Sequence, residues 1–239
     1  MNNLKAVLLA VLLMLVPSLA EAANPVVRYF SRFLDETRAE RAIGDLLFDQ
    51  FMRDMPESIT VTDDTVLSER MLKLAENTSR PALGFCVKVI ESDVVDEIPL
   101  PGGTLLLTTG LLAFATTDEQ RDFILARNVM HMVLKHPMRL IKQEGLYPTL
   151  LNQLKLSVDK RSATQLRSLA RDYLRNLGKL NHKKADLQGI LLTESPERTR
   201  KSAIEMLGKF SVRVWPVSSW DTGELPARIS ELEKLKLPE

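Results

Sequence analysis

The spacing of apolar residues along the chain predicts a mainly helical protein. Apolar side chains recur at helical intervals from about Asn24 to Met55, and a second helix is predicted from Asp64 to Asn77. The segment from Asp118 to His136 is apolar around nearly its whole circumference, so it is predicted to be a central helix that ends near Pro137. Apolar positions from Lys160 to Asn181 repeat at steps of three and four, which predicts one amphipathic helix.

Two short stretches interrupt this helical pattern. Phe85–Ile90 and Thr104–Thr109 are rich in β-branched and aliphatic residues, and the loop between them contains Pro99 and the run Pro101–Gly103. Such runs, bounded by proline and glycine, are typical of short β-strands. The sequence therefore predicts an α+β fold: a mainly helical single domain with a small β-sheet.

The composition is that of a compact globular protein. Of the 239 residues, 45% are hydrophobic and 26% are charged, which excludes a disordered chain or a coiled coil. Lys and Arg total 32 against 31 Asp and Glu, so no overall field attracts nucleic acid and no nucleic-acid partner is expected. The single cysteine, Cys86, excludes an internal disulfide and a cysteine-based zinc site, and it is interpreted as a buried, unreactive side chain.

The charges are unevenly distributed although their total is near zero. Residues 151–184 contain nine basic and two acidic side chains, whereas residues 44–97 contain twelve acidic and five basic ones. The sequence alone favours two solvated faces over a surface dedicated to anionic lipid or to an acidic partner.

The amino terminus has the pattern of a secretory signal peptide. Lys5 precedes the apolar run Ala6–Val16, Pro17 follows, and small residues lie at Ala22 and Ala23. The run is short for a transmembrane helix, so cleavage is favoured over an uncleaved membrane anchor. We therefore expect a signal peptide over residues 1–22 and a periplasmic or secreted mature protein after cleavage.

One continuous stretch carries a specific pattern. Residues 100–136 read LPGGTLLLTTGLLAFATTDEQRDFILARNVMHMVLKH: a PGG turn, a predicted strand, GLL, an acidic helix start, and then His131 with His136 five residues beyond it. In this order and spacing the stretch resembles the zinc metallopeptidase family of the CAAX prenyl protease and HtpX, especially its secreted bacterial members. The positions in register with the family are Pro101, Gly102, Gly103, Gly110, Leu111, Leu112, Glu119, Ala126, His131 and His136.

Two later segments fit the same family in the same order. HKKADLQG, residues 182–189, matches its ExxxD helix, with Asp186 and Gly189 retained. DTGELPARISEL, residues 221–232, matches a carboxyl-terminal segment that retains Arg228, with Thr222 in the place of a family histidine. The resemblance implies a metallopeptidase-like domain over residues 23–239, in which the small β-sheet lies beside a gluzincin-like active-site helix.

The resemblance also identifies the catalytic positions, and several carry unexpected residues. The HExxH motif of the family supplies two zinc-binding histidines and a glutamate base. The corresponding residues here are Arg127, Asn128 and His131. His182 stands where the third ligand, a glutamate, belongs, and Asp186 keeps the carboxylate that supports the ligands.

These substitutions remove the chemistry that the motif normally provides. Arg127 stays protonated and has no lone pair for a metal, and Asn128 in the position of the general base has no useful basicity. We therefore expect no cofactor and no catalysis; zinc held by His131, His182 and Asp186 is the alternative. The guanidinium of Arg127 is expected to pair with Asp186 and to join the two helices without a metal.

The peptide-binding part of the resemblance is less altered. The family holds extended substrate along the edge strand beside the PGG segment, where main-chain hydrogen bonds tolerate many sequences. Leu100–Leu107 keeps the local pattern, which makes Leu105 and Leu107 the predicted peptide-binding positions, although Asp96 and Glu97 replace the usual Asn and Ala. A strand that binds no ligand is an equally weighted alternative.

Together these features predict an exported, catalytically inactive pseudopeptidase that binds an extended polypeptide or a protein partner in the cell envelope, with peripheral membrane contact as a further option. Two alternatives stay open. One is a metalloendopeptidase whose altered metal site uses His131, His182 and Asp186, and the other is a purely structural envelope subunit.

Overall fold

The structure, a computed structural model, describes residues 25–211 and 223–237, with side chains in the first helix described from Glu36 onward. The predicted signal peptide, residues 1–22, lies outside these ranges. The chain divides into two compact units with the boundary after Ala39, and the fold and site below belong to the unit that starts at Glu40. No helix in the described ranges combines the length and the apolar character needed to span a bilayer.

Helices make up most of the described chain, which confirms the predicted α+β class with a predominance of helix. They are α1 (Pro25–Asp54), α2 (Thr65–Ala75), α3 (Thr109–Phe114), α4 (Asp118–Val133), α5 (His136–Gln143), α6 (Tyr147–Lys155), α7 (Ala163–Arg175), α8 (His182–Ile190), α9 (Pro196–Ser211) and α10 (Leu225–Lys234). Short 3₁₀ turns lie at Pro81–Leu83, Pro101–Gly103, Val158–Lys160 and Leu177–Lys179.

The small sheet has four strands in the order β1-β2-β4-β3. They are β1 (Val61–Asp64), β2 (Cys86–Ile90), β3 (Glu97–Pro99) and β4 (Thr104–Thr108). β2 and β4 are parallel, whereas β1 and β3 run antiparallel to their neighbours. β4 is therefore an interior strand, and β1 and β3 form the two edges.

Helix α4 is the centre of the fold, as its apolar sequence predicts. It packs against α8, α2 and α9, and Thr117 caps its first turn by accepting a hydrogen bond from the backbone of Gln120. Helices α4 and α8 lie very close together at Gly189 of α8. A Cβ added at Gly189 would lie 2.8 Å from the backbone nitrogen of Arg127 on α4. Glycine at this position lets the two helices that carry the motif residues come into backbone contact.

Three local predictions differ from the structure. The central helix ends at Val133, Lys135 takes a left-handed conformation with φ 56°, and α5 begins at His136, so Pro137 lies in the first turn of a new helix. The predicted amphipathic helix is shorter, because α7 ends at Arg175 and a 3₁₀ turn follows. Cys86 is only half-buried, and its thiol lies 3.4 Å from the hydroxyl of Thr104.

Candidate functional site

The fold brings the predicted site residues together in the interior. Arg127, Asn128 and His131 lie on α4, and His182 and Asp186 lie on the facing helix α8, where the side chain of Asn181 caps the first turn. All five are almost completely shielded from solvent. Burying charged and polar side chains to this degree costs free energy unless they find partners, so their contacts define what the site can do.

Arg127 is the hub of this cluster. Its Nε donates a hydrogen bond to Oδ1 of Asp186 over 2.9 Å, and one terminal nitrogen lies 2.8 Å from Nδ1 of His182. The other terminal nitrogen forms an ion pair with the carboxylate of Glu97. The predicted pairing of Arg127 with Asp186 is confirmed, and the guanidinium contacts three different groups at once.

Asp186 is held by a second arginine from the carboxyl-terminal helix α10. Nε of Arg228 donates to Oδ2 of Asp186 over 2.7 Å, and a terminal nitrogen of Arg228 donates to Oδ1 over 3.2 Å. Both carboxylate oxygens of Asp186 are therefore occupied by guanidinium groups. The segment around Arg228, which the resemblance placed in the family, completes this site, while Thr222 lies outside the described residues.

Glu97 belongs to the site although the sequence interpretation gave it no role there. It lies on the edge strand β3, is buried, and accepts a hydrogen bond from Nδ2 of Asn128 over 2.6 Å in addition to its pairing with Arg127. The amide of Asn128 also donates to the carbonyl of Ile124 over 2.8 Å. The signal in the sequence was the replacement of the family's usual alanine by a glutamate, which is unusual in a strand that packs on a core helix.

The three histidines of the cluster are uncharged at neutral pH. Burial lowers the pKa of His131 and of His182 well below the usual range, and the charge of Arg127 acts in the same direction. Burial lowers the pKa of His136 to about 4, with smaller contributions from Arg139 and Lys184. Nδ1 of His136 lies 3.0 Å from Nδ1 of His131, a contact that needs one ring to donate and the other to accept.

Arg127 keeps its charge despite its burial. Desolvation lowers its pKa to about 10, opposed by the negative charge of Asp186. Because this value is still well above neutral pH, the cluster contains two guanidinium groups, Arg127 and Arg228, and two carboxylates, Glu97 and Asp186. Among the described residues of the cluster, two formal positive charges thus face two formal negative charges.

The residues present do not fit a zinc ion. A guanidinium has no acceptor atom, so Nδ1 of His182 must accept the hydrogen bond from Arg127 and the neutral ring carries its proton on Nε2. Neither nitrogen of His182 then offers a lone pair, and Asp186 is bound by two arginines. In the described part of the chain, no group of three or more His, Cys, Asp or Glu side chains is arranged to hold a metal ion. The alternative set of His131, His182 and Asp186 is not supported.

The predicted peptide-binding positions do not lie on a sheet edge. Leu105 and Leu107 are on β4, which pairs with β2 on one side and with β3 on the other, and both side chains are buried in the core. The prediction of a free edge there is wrong, because β3 folds back and covers that side. The actual edge strand is β3, and the hydroxyl of Tyr173 donates to its Pro99 carbonyl.

A protein-family model matches most of the chain. The model of peptidase family M48 matches residues 62–236, a range that contains every residue of the buried cluster. The chain belongs to peptidase family M48. No curated protein matches it. Family M48 is normally zinc-dependent.

Proposed function

We propose that this M48 family member is an exported pseudopeptidase, which acts in the cell envelope by binding and does not hydrolyse peptides. The observation that carries the proposal is the guanidinium of Arg127, which contacts Glu97, Asp186 and His182 together in the position that the family uses for its metal. A permanent cation held by these groups opposes the entry of a second, divalent cation.

The residue at the base position does not supply a catalytic base. Asn128 stands at the base position and its amide donates to Glu97 and to the Ile124 carbonyl. The carboxylate that contacts Asn128, that of Glu97, is buried, and both of its oxygens already contact protein groups, one Arg127 and the other Asn128. The loss of the base thus accompanies the loss of the metal.

Export rests on the amino-terminal sequence pattern of Lys5, the apolar run and the small residues that follow. Mature protein in the periplasm or outside the cell would meet envelope proteins and membrane surfaces as partners. Capture of an extended polypeptide along β3 is disfavoured, because the Pro99 carbonyl is bound by Tyr173 and the Glu97 amide donates to Oδ1 of Asp96 over 2.9 Å. We therefore assign binding to the outer surface of the protein.

The test compares the natural protein with a variant in which the family's residues are restored. The chain without its predicted signal peptide would be analysed for metal content and for casein hydrolysis beside a quadruple variant, Glu97→Ala, Arg127→His, Asn128→Glu and His182→Glu. A single Arg127→Met variant serves as the control, because it removes the cation without adding a ligand.

We expect no zinc and no hydrolysis in the natural protein or in the control, and gain of zinc in the restored variant. Stoichiometric zinc in the natural protein that disappears on His131→Ala, or turnover of casein by the natural protein, would overturn the proposal. An envelope subunit with no binding role at all would show neither metal nor any of the surface interactions tested below.

A further inference from the structure

The loop that joins α6 to α7 presents apolar side chains on a strongly basic background. Leu156 is 38% exposed and Val158 is 63% exposed, and Lys155, Lys160 and Arg161 flank them. We call residues 155–161 the basic-apolar loop. An exposed valine and leucine in a loop that carries three basic side chains and one acidic side chain, Asp159, differ from the isolated surface apolar residues that most proteins carry.

Hydrogen bonds connect the basic-apolar loop to the end of α6 and to the start of α7. Nε of Arg161 donates to the carbonyls of Gln153 and Leu156 over 3.1 and 3.4 Å, and the amide of Ser162 donates to Oε1 of Gln153 over 2.9 Å. Val158–Lys160 forms a 3₁₀ turn at its tip. The apolar side chains are thus displayed before any partner arrives, which lowers the ordering cost of binding.

Helix α7, which follows the loop directly, extends the basic surface. Arg167, Arg171 and Arg175 are four residues apart, so they share one solvent-exposed face, and Leu174 is partly exposed beside them. Arg167 pairs with Asp54, and Arg175 pairs within its own helix, but such exposed pairs hold their charges weakly. From residue 155 to residue 175 there are six basic side chains and two acidic ones.

We propose that the basic-apolar loop and the exposed face of α7 dock on an anionic phospholipid bilayer. The cations would contact the phosphate headgroups, and Leu156 and Val158 would enter the boundary between headgroups and acyl chains. An acidic protein would satisfy the cations equally well, but it would need a cavity that matches two projecting apolar side chains. A bilayer receives such side chains without a matched cavity, and therefore it is the partner that both features fit.

This surface is separate from the buried cluster, so the inference goes beyond the proposed function and does not depend on whether hydrolysis is lost. The uneven distribution of charge is already visible in the sequence. The structure adds that Leu156 and Val158 are exposed within the basic region. Lys155 and Lys160 form no ion pair with the described part of the chain, so both are available to headgroups.

The test is flotation of the full mature chain with two kinds of vesicle, one of phosphatidylcholine alone and one of phosphatidylcholine mixed with phosphatidylglycerol. Three variants would be compared: Leu156→Ser with Val158→Ser, Lys155→Gln with Lys160→Gln, and the control Val66→Ser. Val66 is a fitting control because it is 66% exposed and lies on α2, in the acidic part of the chain.

We expect binding to the anionic vesicles that decreases with added salt and is absent on phosphatidylcholine. Each lysine removed should weaken binding about fivefold, from the usual attraction of a basic residue to an anionic surface. The Leu156 and Val158 double variant should weaken it further, and Val66→Ser should have no effect. Absence of binding, equal binding to neutral vesicles, or full binding by the apolar double variant would overturn the proposal, and the last result would favour an acidic protein partner.

Discussion

Replacing Arg127 by methionine tests whether the buried ion network holds α4, α8 and β3 together. The change keeps most of the side-chain volume and removes the cation that joins Glu97 to Asp186. Asp186 keeps Arg228 as a partner, whereas Glu97 loses its arginine and, of its two described side-chain partners, keeps the amide of Asn128. A buried carboxylate left without its cation typically costs about 3–5 kcal/mol, so Arg127→Met should lower the free energy of unfolding by roughly that amount.

The origin of this cost can be isolated by a double-mutant cycle with Glu97→Gln. In Arg127→Met with Glu97→Gln no charge is left unpaired at β3, so the double variant should be more stable than the sum of the single effects predicts, by at least about 1.5 kcal/mol. Equilibrium urea unfolding followed by circular dichroism at neutral pH measures all four free energies. Arg198→Met, which removes an exposed arginine paired with Glu119, is the control and should cost under about 1 kcal/mol. A loss below about 1 kcal/mol in Arg127→Met, or additive effects in the cycle, would refute the argument.

Three further predictions follow from the same interior. Burial lowers the pKa values of the three cluster histidines in the folded state, so the unfolded state binds more protons below about pH 6.5. The free energy of unfolding should therefore fall as the pH decreases toward 4, by up to about 4 kcal/mol per pH unit. Urea titrations at several pH values measure this slope, and His136→Gln should reduce it. Gly189→Ala places a Cβ against the backbone of Arg127 and should cost about 1–3 kcal/mol, whereas Gly208→Ala, which has open space on α9, should be neutral or slightly stabilising. Added zinc should leave the thermal midpoint of the natural protein unchanged and raise that of the quadruple restored variant.

The sequence was sufficient for the parts of the site that depend on fixed helical spacing. The register of the motif on α4 and of the ExxxD segment on α8 placed Arg127 opposite Asp186, and the structure has that pair. Helix periodicity also located α4 as the central element, since its apolar residues leave little polar surface. In both cases the information lies within one turn of a helix or within one family motif.

The parts that sequence reasoning missed depend on contacts between distant segments. The pattern of β4 shows a buried strand but not which strand covers each side, so the three-residue strand β3 and its pairing with β4 could not be read from it. The same tertiary placement brings Glu97 to Arg127, and a lone glutamate in a short strand gives no local sign of its partner. The break between α4 and α5 depends on one residue, Lys135, in a left-handed conformation that its residue type does not favour.

The charge balance of the cluster explains why the position of Arg127 and the position of Glu97 have to be considered together. Asp186 is already shared with Arg228, so an arginine at residue 127 with the family's alanine at residue 97 would leave two buried guanidinium groups facing one carboxylate. Glu97 supplies the second negative charge and also accepts the amide of Asn128. With it, each of the two buried guanidinium groups has a carboxylate partner among the described residues, which offsets part of the cost of burying their charges. In a metal-binding relative the ion would join α4 to α8; here two arginines and two carboxylates make the same connection, and they extend it to β3 and α10.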